Sequence, residues 1–261
     1  MLSGRVVGVL VGLAGVLGVG FVVAPRVVAG WGAGGFSGEA EVREAFRGAF
    51  VEYWGSGDRG FSPAMDAVVD YWFRYHVVKA VLATILLFVL VVIAVLLWRR
   101  YFRDGGFGSA AGGIAITGAA LFSLLLVLAN VQGAIAPFAS LFPMLTDGGG
   151  EVAGVLEQIG RLLHSGGSHP PALDTMVSGF ARYHAAMAVE SVAVAVVSLG
   201  LGVLWWARFA MTSEGRARLV FGSFGALTVL LTLGMIVVAV ANTGNAAEPE
   251  AGLLTLVEGG W

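Results

Sequence analysis

A chain of 261 residues that is 57% hydrophobic and only 12% charged, with a mean hydropathy of +0.86, has too little polar surface to coat a soluble globule of its size and belongs in a bilayer. Its formal net charge of −2 provides no basic field, which excludes nucleic acid as a partner. The absence of cysteine excludes disulfides, thiolate zinc sites, iron–sulfur clusters and covalent c-type haem, so any metal must use His, carboxylate or Met ligands.

Residues 6–24 form the first apolar run, long enough at ~1.5 Å per residue to cross a hydrocarbon core of ~30 Å. Arg5 ahead of it and small residues at 29–35 also fit a cleavable signal peptide. The run is long for that role, and Gly8, Gly12 and Gly15 share a face at a spacing that admits a close neighbouring helix. An uncleaved transmembrane helix is therefore expected within 1–30, acting as a signal anchor and filling a seam of the bundle.

Over residues 39–54, Val42, Phe46, Ala49, Phe50 and Tyr53 recur at helical spacing against Glu39, Arg43, Glu44 and Arg47. That pattern predicts an amphipathic helix, lying on the membrane or packed on the rest of the protein. Gly55 and Gly60 bracket a break, Ser62 offers a cap, and Pro63 opens a helix expected to reach Arg100, longer than a bilayer needs. Its uncharged part is 80–98, with Lys79 snorkelling at one end, Trp72 and Tyr75 at one interface and Trp98 at the other. Arg99, Arg100 and Arg103 make a short basic loop before a third membrane helix over residues 110–130.

The stretch 63–100 then recurs, without a gap, at 171–208. Pro63/Pro171, Asp66/Asp174, Arg74/Arg182, Tyr75/Tyr183, His76/His184, Trp98/Trp206 and Arg100/Arg208 match in register, polar residues included, which shared hydrophobicity alone does not produce. A second amphipathic helix over 152–163 and a Gly/Ser loop at 164–169 precede it, and residues 185–206 form its membrane portion. A loop with Arg208, Arg216 and Arg218 leads to a fifth membrane helix over 219–241, whose Asn242 and Pro249 echo Asn130 and Pro137. The expected segments are 1–30, a first repeat over 31–147, and a second repeat with its carboxyl-terminal tail over 148–261.

The short Arg loops and Arg5 belong in the cytoplasm, which places most carboxylates outside, among them Glu39, Asp66, Asp147, Asp174 and Glu250. The expected fold is an all-α integral membrane protein with five transmembrane helices, built from a tandem parallel repeat of helical hairpins, with amphipathic helices on the extracytoplasmic side. Arg dominates over Lys, and Ala, Val and Gly abound, as in GC-rich bacterial genomes. The expected location is thus a bacterial inner membrane, amino end cytoplasmic and carboxyl end extracytoplasmic.

Several side chains invite chemistry. His76 and His184 are equivalent under the repeat and fall at the outer interface, where with Asp66 and Asp174 they could hold a transition metal. The competing reading makes Arg74, Tyr75, Arg182 and Tyr183, with Trp98 and Trp206 opposite, headgroup anchors. Asp66 and Asp174 also suit the first turn of a helix on dipole grounds alone. His164 and His169 read as solvent-facing polarity. Glu190 lies within an apolar run, where an unpaired carboxylate is expensive, and an ion pair with Lys79 would neutralise both. Asn130 and Asn242 read as helix caps or as the lining of a shared pocket. Lys79, Glu190, Asn130 and Asn242 are therefore the candidate ion or ligand site.

Enzyme motifs are wanting. Gly106 and Gly108 follow no strand, no Gly-x-Ser-x-Gly or His-Glu-x-x-His occurs, and the sole lysine, Lys79, is in no Walker motif. The leading expectation is a non-catalytic multi-pass membrane protein, without a cofactor, that sits in the lipid bilayer and binds a lipid or protein partner, such as another membrane protein, through its outer helical layer. A small transporter or ion- and proton-binding protein using Lys79 and Glu190 is the alternative, and a membrane enzyme with an extracytoplasmic His/Asp metal site is the third.

Overall fold

The computed structural model describes residues 4–31, 35–146 and 148–259, so Asp147 lies outside the described residues. Within them the chain is helical throughout: α1 Gly4–Ala29, α2 Glu39–Ser56, α3 Pro63–Asp104, α4 Phe107–Ile135, α5 Pro137–Ser140, α6 Pro143–Thr146, α7 Glu151–Ser165, α8 Pro171–Met211, α9 Gly215–Ala247 and α10 Pro249–Val257. Among the described residues five helices, α1, α3, α4, α8 and α9, are long and apolar enough to cross a membrane, as a multi-pass membrane protein requires.

Local chemistry sets the boundaries. The Ser37 amide and hydroxyl both donate to the Glu41 carboxylate, at 2.5 and 2.6 Å, and tie down the start of α2. Gly57, at φ 69°, closes that helix in the left-handed region. The Ser62 hydroxyl accepts from the Met65 amide at 3.3 Å, ahead of Pro63 in the first turn of α3. Gly105 and Gly106, at φ 71° and 93°, reverse the chain between α3 and α4. α4 and α9 end in nearly the same backbone break, Ala136 at φ −134°, ψ 67° before Pro137 and Glu248 at φ −122°, ψ 62° before Pro249.

Two boundaries differ from the sequence expectation. α4 and α9 run past residues 130 and 241; in α4, Asn130 and Gln132 are buried, at 5% exposure each, and need not end the helix to reach water. The described residues between α4 and α7 form the short helices α5 and α6, and the tail forms α10.

The chain divides into two compact units, each drawn from both halves of the sequence. The first comprises Met1–Val19, Leu82–Leu128 and Met187–Asn242; the second comprises Gly20–Val81, Ala129–Ala186 and Thr243–Trp261. These units cut across the segments 31–147 and 148–261.

The first unit turns large apolar side chains outward, including Val9, Phe88, Phe122, Val189 and Leu230, and buries Ser123, Ser191, Ser198, Thr228 and Thr232. In water that arrangement would be unstable. In lipid it is favourable, because tails solvate the apolar face while small and hydroxylic residues let helices approach and bond. Ser198 and Thr232 hydroxyls meet at 2.8 Å, and Ser123 donates to the Ala83 carbonyl at 3.0 Å. The glycine face of α1 has no such neighbour: a Cβ on Gly8, Gly12 or Gly15 would meet no atom within 4 Å. The close helix contact expected there is absent among the described residues.

The second unit is built the opposite way, as a water-facing protein is. Phe46, Phe50, Tyr53, Met65, Tyr71, Phe142 and Leu173 are fully buried. Phe138, on the short α5, sits among the rings of Phe46, Tyr53, Phe61 and Phe142 with centroids 4.7 to 6.4 Å apart. Arg47 donates to the Met144 carbonyl at 2.7 Å and Trp54 to Gln158 at 2.9 Å, which fastens α2 to α6 and α7. The amphipathic helices thus pack into a core of their own.

Candidate functional site

Within the second unit, α3 delivers Trp72, Tyr75, His76 and Lys79 to one face over successive turns. His76 Nδ1 lies 3.0 Å from Asn130 Oδ1 on α4, with the Trp72 and Tyr75 rings edge-on at 5.0 and 5.8 Å. Gly133 is the floor of this niche, since a Cβ there would come within 2.7 Å of the imidazole. Trp72 stacks on Tyr75 at 5.1 Å and donates from Nε1 to the Ser140 hydroxyl at 2.9 Å. Lys79 donates to the Tyr75 hydroxyl at 3.4 Å, with Nζ 4.7 Å from the Phe21 ring centroid and 4.9 Å from that of Tyr75. The structure thereby joins His76 to Asn130, which sequence reasoning had placed in separate groups, and Gly133 carried no signal of its role.

Asn130 and Asn242 are not helix caps. Both lie inside their helices, and Asn242 Nδ2 donates to the Val238 carbonyl one turn earlier, at 2.9 Å. Arg74 pairs with Asp70 at 2.7 Å and also donates to the Trp31 carbonyl at 2.7 Å, so it serves as a strut within the protein. Arg182 is exposed, and the Ser178 hydroxyl, at the position matching Asp70, donates to the Thr175 carbonyl. The Tyr183 carbonyl accepts from Gln132 at 3.1 Å.

A second polar cluster forms at the start of α8. Asp174 accepts from Arg59 at 3.5 Å, and His169 Nδ1 lies 4.0 Å from Asp174 and 3.9 Å from Glu250. The His169 side chain is 9% exposed, so it is a largely covered neighbour of two carboxylates and not the solvent-facing group expected. Pro170 and Pro171, which stiffen the chain beside it, were the available signal. Asp66 stands exposed in the first turn of α3, and His184 packs against Phe180 and Tyr183 at 4.4 and 5.4 Å. Among the described residues no group of three or more His, Asp or Glu side chains is placed to hold a metal ion, so the set His76, His184, Asp66 and Asp174 is not assembled.

Electrostatics follow burial and bonding. The Ser37 hydroxyl and then its amide hold the Glu41 carboxyl below its usual range. Burial pushes the Tyr53 phenol up, and its hydroxyl donates to the Ala172 carbonyl at 3.4 Å. Carboxylates outnumber cations in the second unit, and cations outnumber carboxylates in the first.

In the first unit, both Glu190 oxygens and the Ser191 hydroxyl are buried with no hydrogen-bond partner among the described residues. The Lys79 ammonium, in the second unit, lies on Tyr75 and Phe21. Trp98 donates from Nε1 to the Thr117 hydroxyl at 3.1 Å, and its ring lies against Gly113, where a Cβ would stand 2.9 Å away; Trp206 lies against Gly225 at the same 2.9 Å. Compared with protein-family models, with curated proteins and with solved structures, the chain matches none.

Proposed function

We propose that the protein is a non-catalytic, multi-pass bacterial inner-membrane protein whose second unit lies outside the cytoplasm and binds a protein partner. The observation that carries this reading is the second unit's own aromatic core, beside which His76 with Asn130 and Trp72 with Ser140 join helices, and Arg74 and Asp174 tie helices to the loops at Trp31 and Arg59. A rigid layer of that kind suits presentation of a surface. A groove of about 510 Å³ between α7 and α10 offers one, lined among others by Leu156, Glu157, Arg161, His164, Val257 and Glu258. Its mixed charge, on a unit richer in carboxylates than in cations, favours a protein over an anionic lipid surface.

The fold proposed with it is a tandem pair of parallel helical hairpins, amino end cytoplasmic. Support comes from the Trp98–Gly113 and Trp206–Gly225 packings and from the matching backbone breaks before Pro137 and Pro249. The test places a photoreactive residue at position 161 or 164 in cells. One protein adduct common to both, lost on Glu157→Arg without a change in melting temperature, is expected; adducts to lipid alone, or none, overturn the reading.

One observation favours a second reading, a small ion- or proton-binding transporter. Glu190 and Ser191 present three buried polar atoms without hydrogen-bond partners among the described residues, and an ionisable group so placed is a mark of a pathway. Ion or proton flux in proteoliposomes that Glu190→Gln abolishes, with folding intact, would select it.

A further inference from the structure

We propose that the first unit holds the acyl chain of an anionic phospholipid in a cleft between α3, α4 and α9, with Arg216 receiving the phosphate. The cleft measures about 370 Å³ and is walled by Trp98, Tyr101, Ile114, Gly118, Leu121 and Leu227, among others. On α4 its lining runs from Ala110 to Leu121, which at ~1.5 Å per residue makes an elongated slot of roughly 16 Å. Most of the wall is hydrocarbon, and the Trp98 and Thr117 polar atoms within it are engaged, Trp98 with Thr117 and Thr117 with the Gly113 carbonyl. Gly118 keeps the slot open, since a Cβ there would meet nothing within 4 Å.

One end of the slot is polar and cationic. Tyr101 lines it, and the Arg216 guanidinium carbon lies 5.8 Å from the Tyr101 ring centroid, against Gly105. Arg103 on the same end is already committed to Asp104, at 3.0 Å, whereas Arg216 pairs with no carboxylate among the described residues. A neighbouring helix would fill the apolar depth but could offer the guanidinium only the partial charge of its terminal carbonyls, whereas a phosphate brings a full charge. An anionic phospholipid uses both, tail in the slot and phosphate on the arginine.

The test uses the full chain in phosphatidylcholine nanodiscs with a minor fraction of phosphatidylglycerol bearing a photoreactive acyl chain. Label is expected on the cleft segments of α4 and α9, well above the exposed face of α1 at Val9 and Val16. Gly118→Leu should cut that label about tenfold by filling the slot, an effect of the size of ~1.4 kcal/mol in affinity. Ser223→Phe, at an exposed lining position, is the second filling variant should the first misfold. Arg216→Gln should reduce the preference over a photoreactive phosphatidylcholine by roughly fivefold. Label spread evenly over α1 and the cleft, label unchanged in a folded filling variant, or crosslinks from the cleft to a protein chain would overturn the proposal. Equal labelling of the wild-type cleft by both lipids would overturn its anionic part.

Discussion

The His76 ring and the Asn130 amide meet at 3.0 Å directly above Gly133, whose missing side chain is what makes room for the imidazole. Gly133→Ala is therefore expected to destabilise the protein by about 1 to 3 kcal/mol through overpacking. In a His76→Ala background the same change should cost little, because the ring it displaces is gone. Thermal unfolding of the two single variants and the double variant measures the coupling; additive losses would remove His76 from the niche.

Trp98 over Gly113 and Trp206 over Gly225 predict a matched response. Alanine at either glycine must push an indole that has only 2.9 Å of clearance, with an expected loss of about 1 to 3 kcal/mol at each. Gly234, in the same α9, has nothing within 4 Å of its would-be Cβ, so alanine there should stabilise by ~0.5 to 1 kcal/mol. Melting temperatures in one detergent order the three variants, and a Gly225→Ala as benign as Gly234→Ala would contradict the packing.

Glu41 gives a pH dependence with a definite sign. Bonds from Ser37 depress its folded value, so its stabilisation of the α2 start is present above the unfolded carboxylate range and is lost as pH falls through the folded value. Glu41→Gln should melt earlier than the parent at neutral pH, and the gap should close in acid. A gap that stays constant from neutral to strongly acidic pH would show that the carboxylate charge does not matter there.

Much of the fold was legible beforehand. Apolar runs near 20 residues and the alternation of Val42, Phe46, Phe50 and Tyr53 with charged neighbours are properties of a short window, and α1, α2, α3 and α8 begin or run close to where those windows place them. The end of α4 was not legible, because Asn130 and Gln132 are as polar in sequence whether they face water or protein. Phe138 gave no helical signal in the sequence, since a four-residue helix has no periodicity to read.

By itself, then, the sequence determined the class, the five membrane-length helices and the two amphipathic ones, all of which follow from composition and local spacing. Only the tertiary structure decided which polar groups meet: His76 with Asn130, 54 residues away, His169 beside Asp174 and Glu250, and Lys79 on aromatic rings. The reason is rotational. Each residue turns a helix by about 100°, so a contact between helices depends on a register that no single helix encodes.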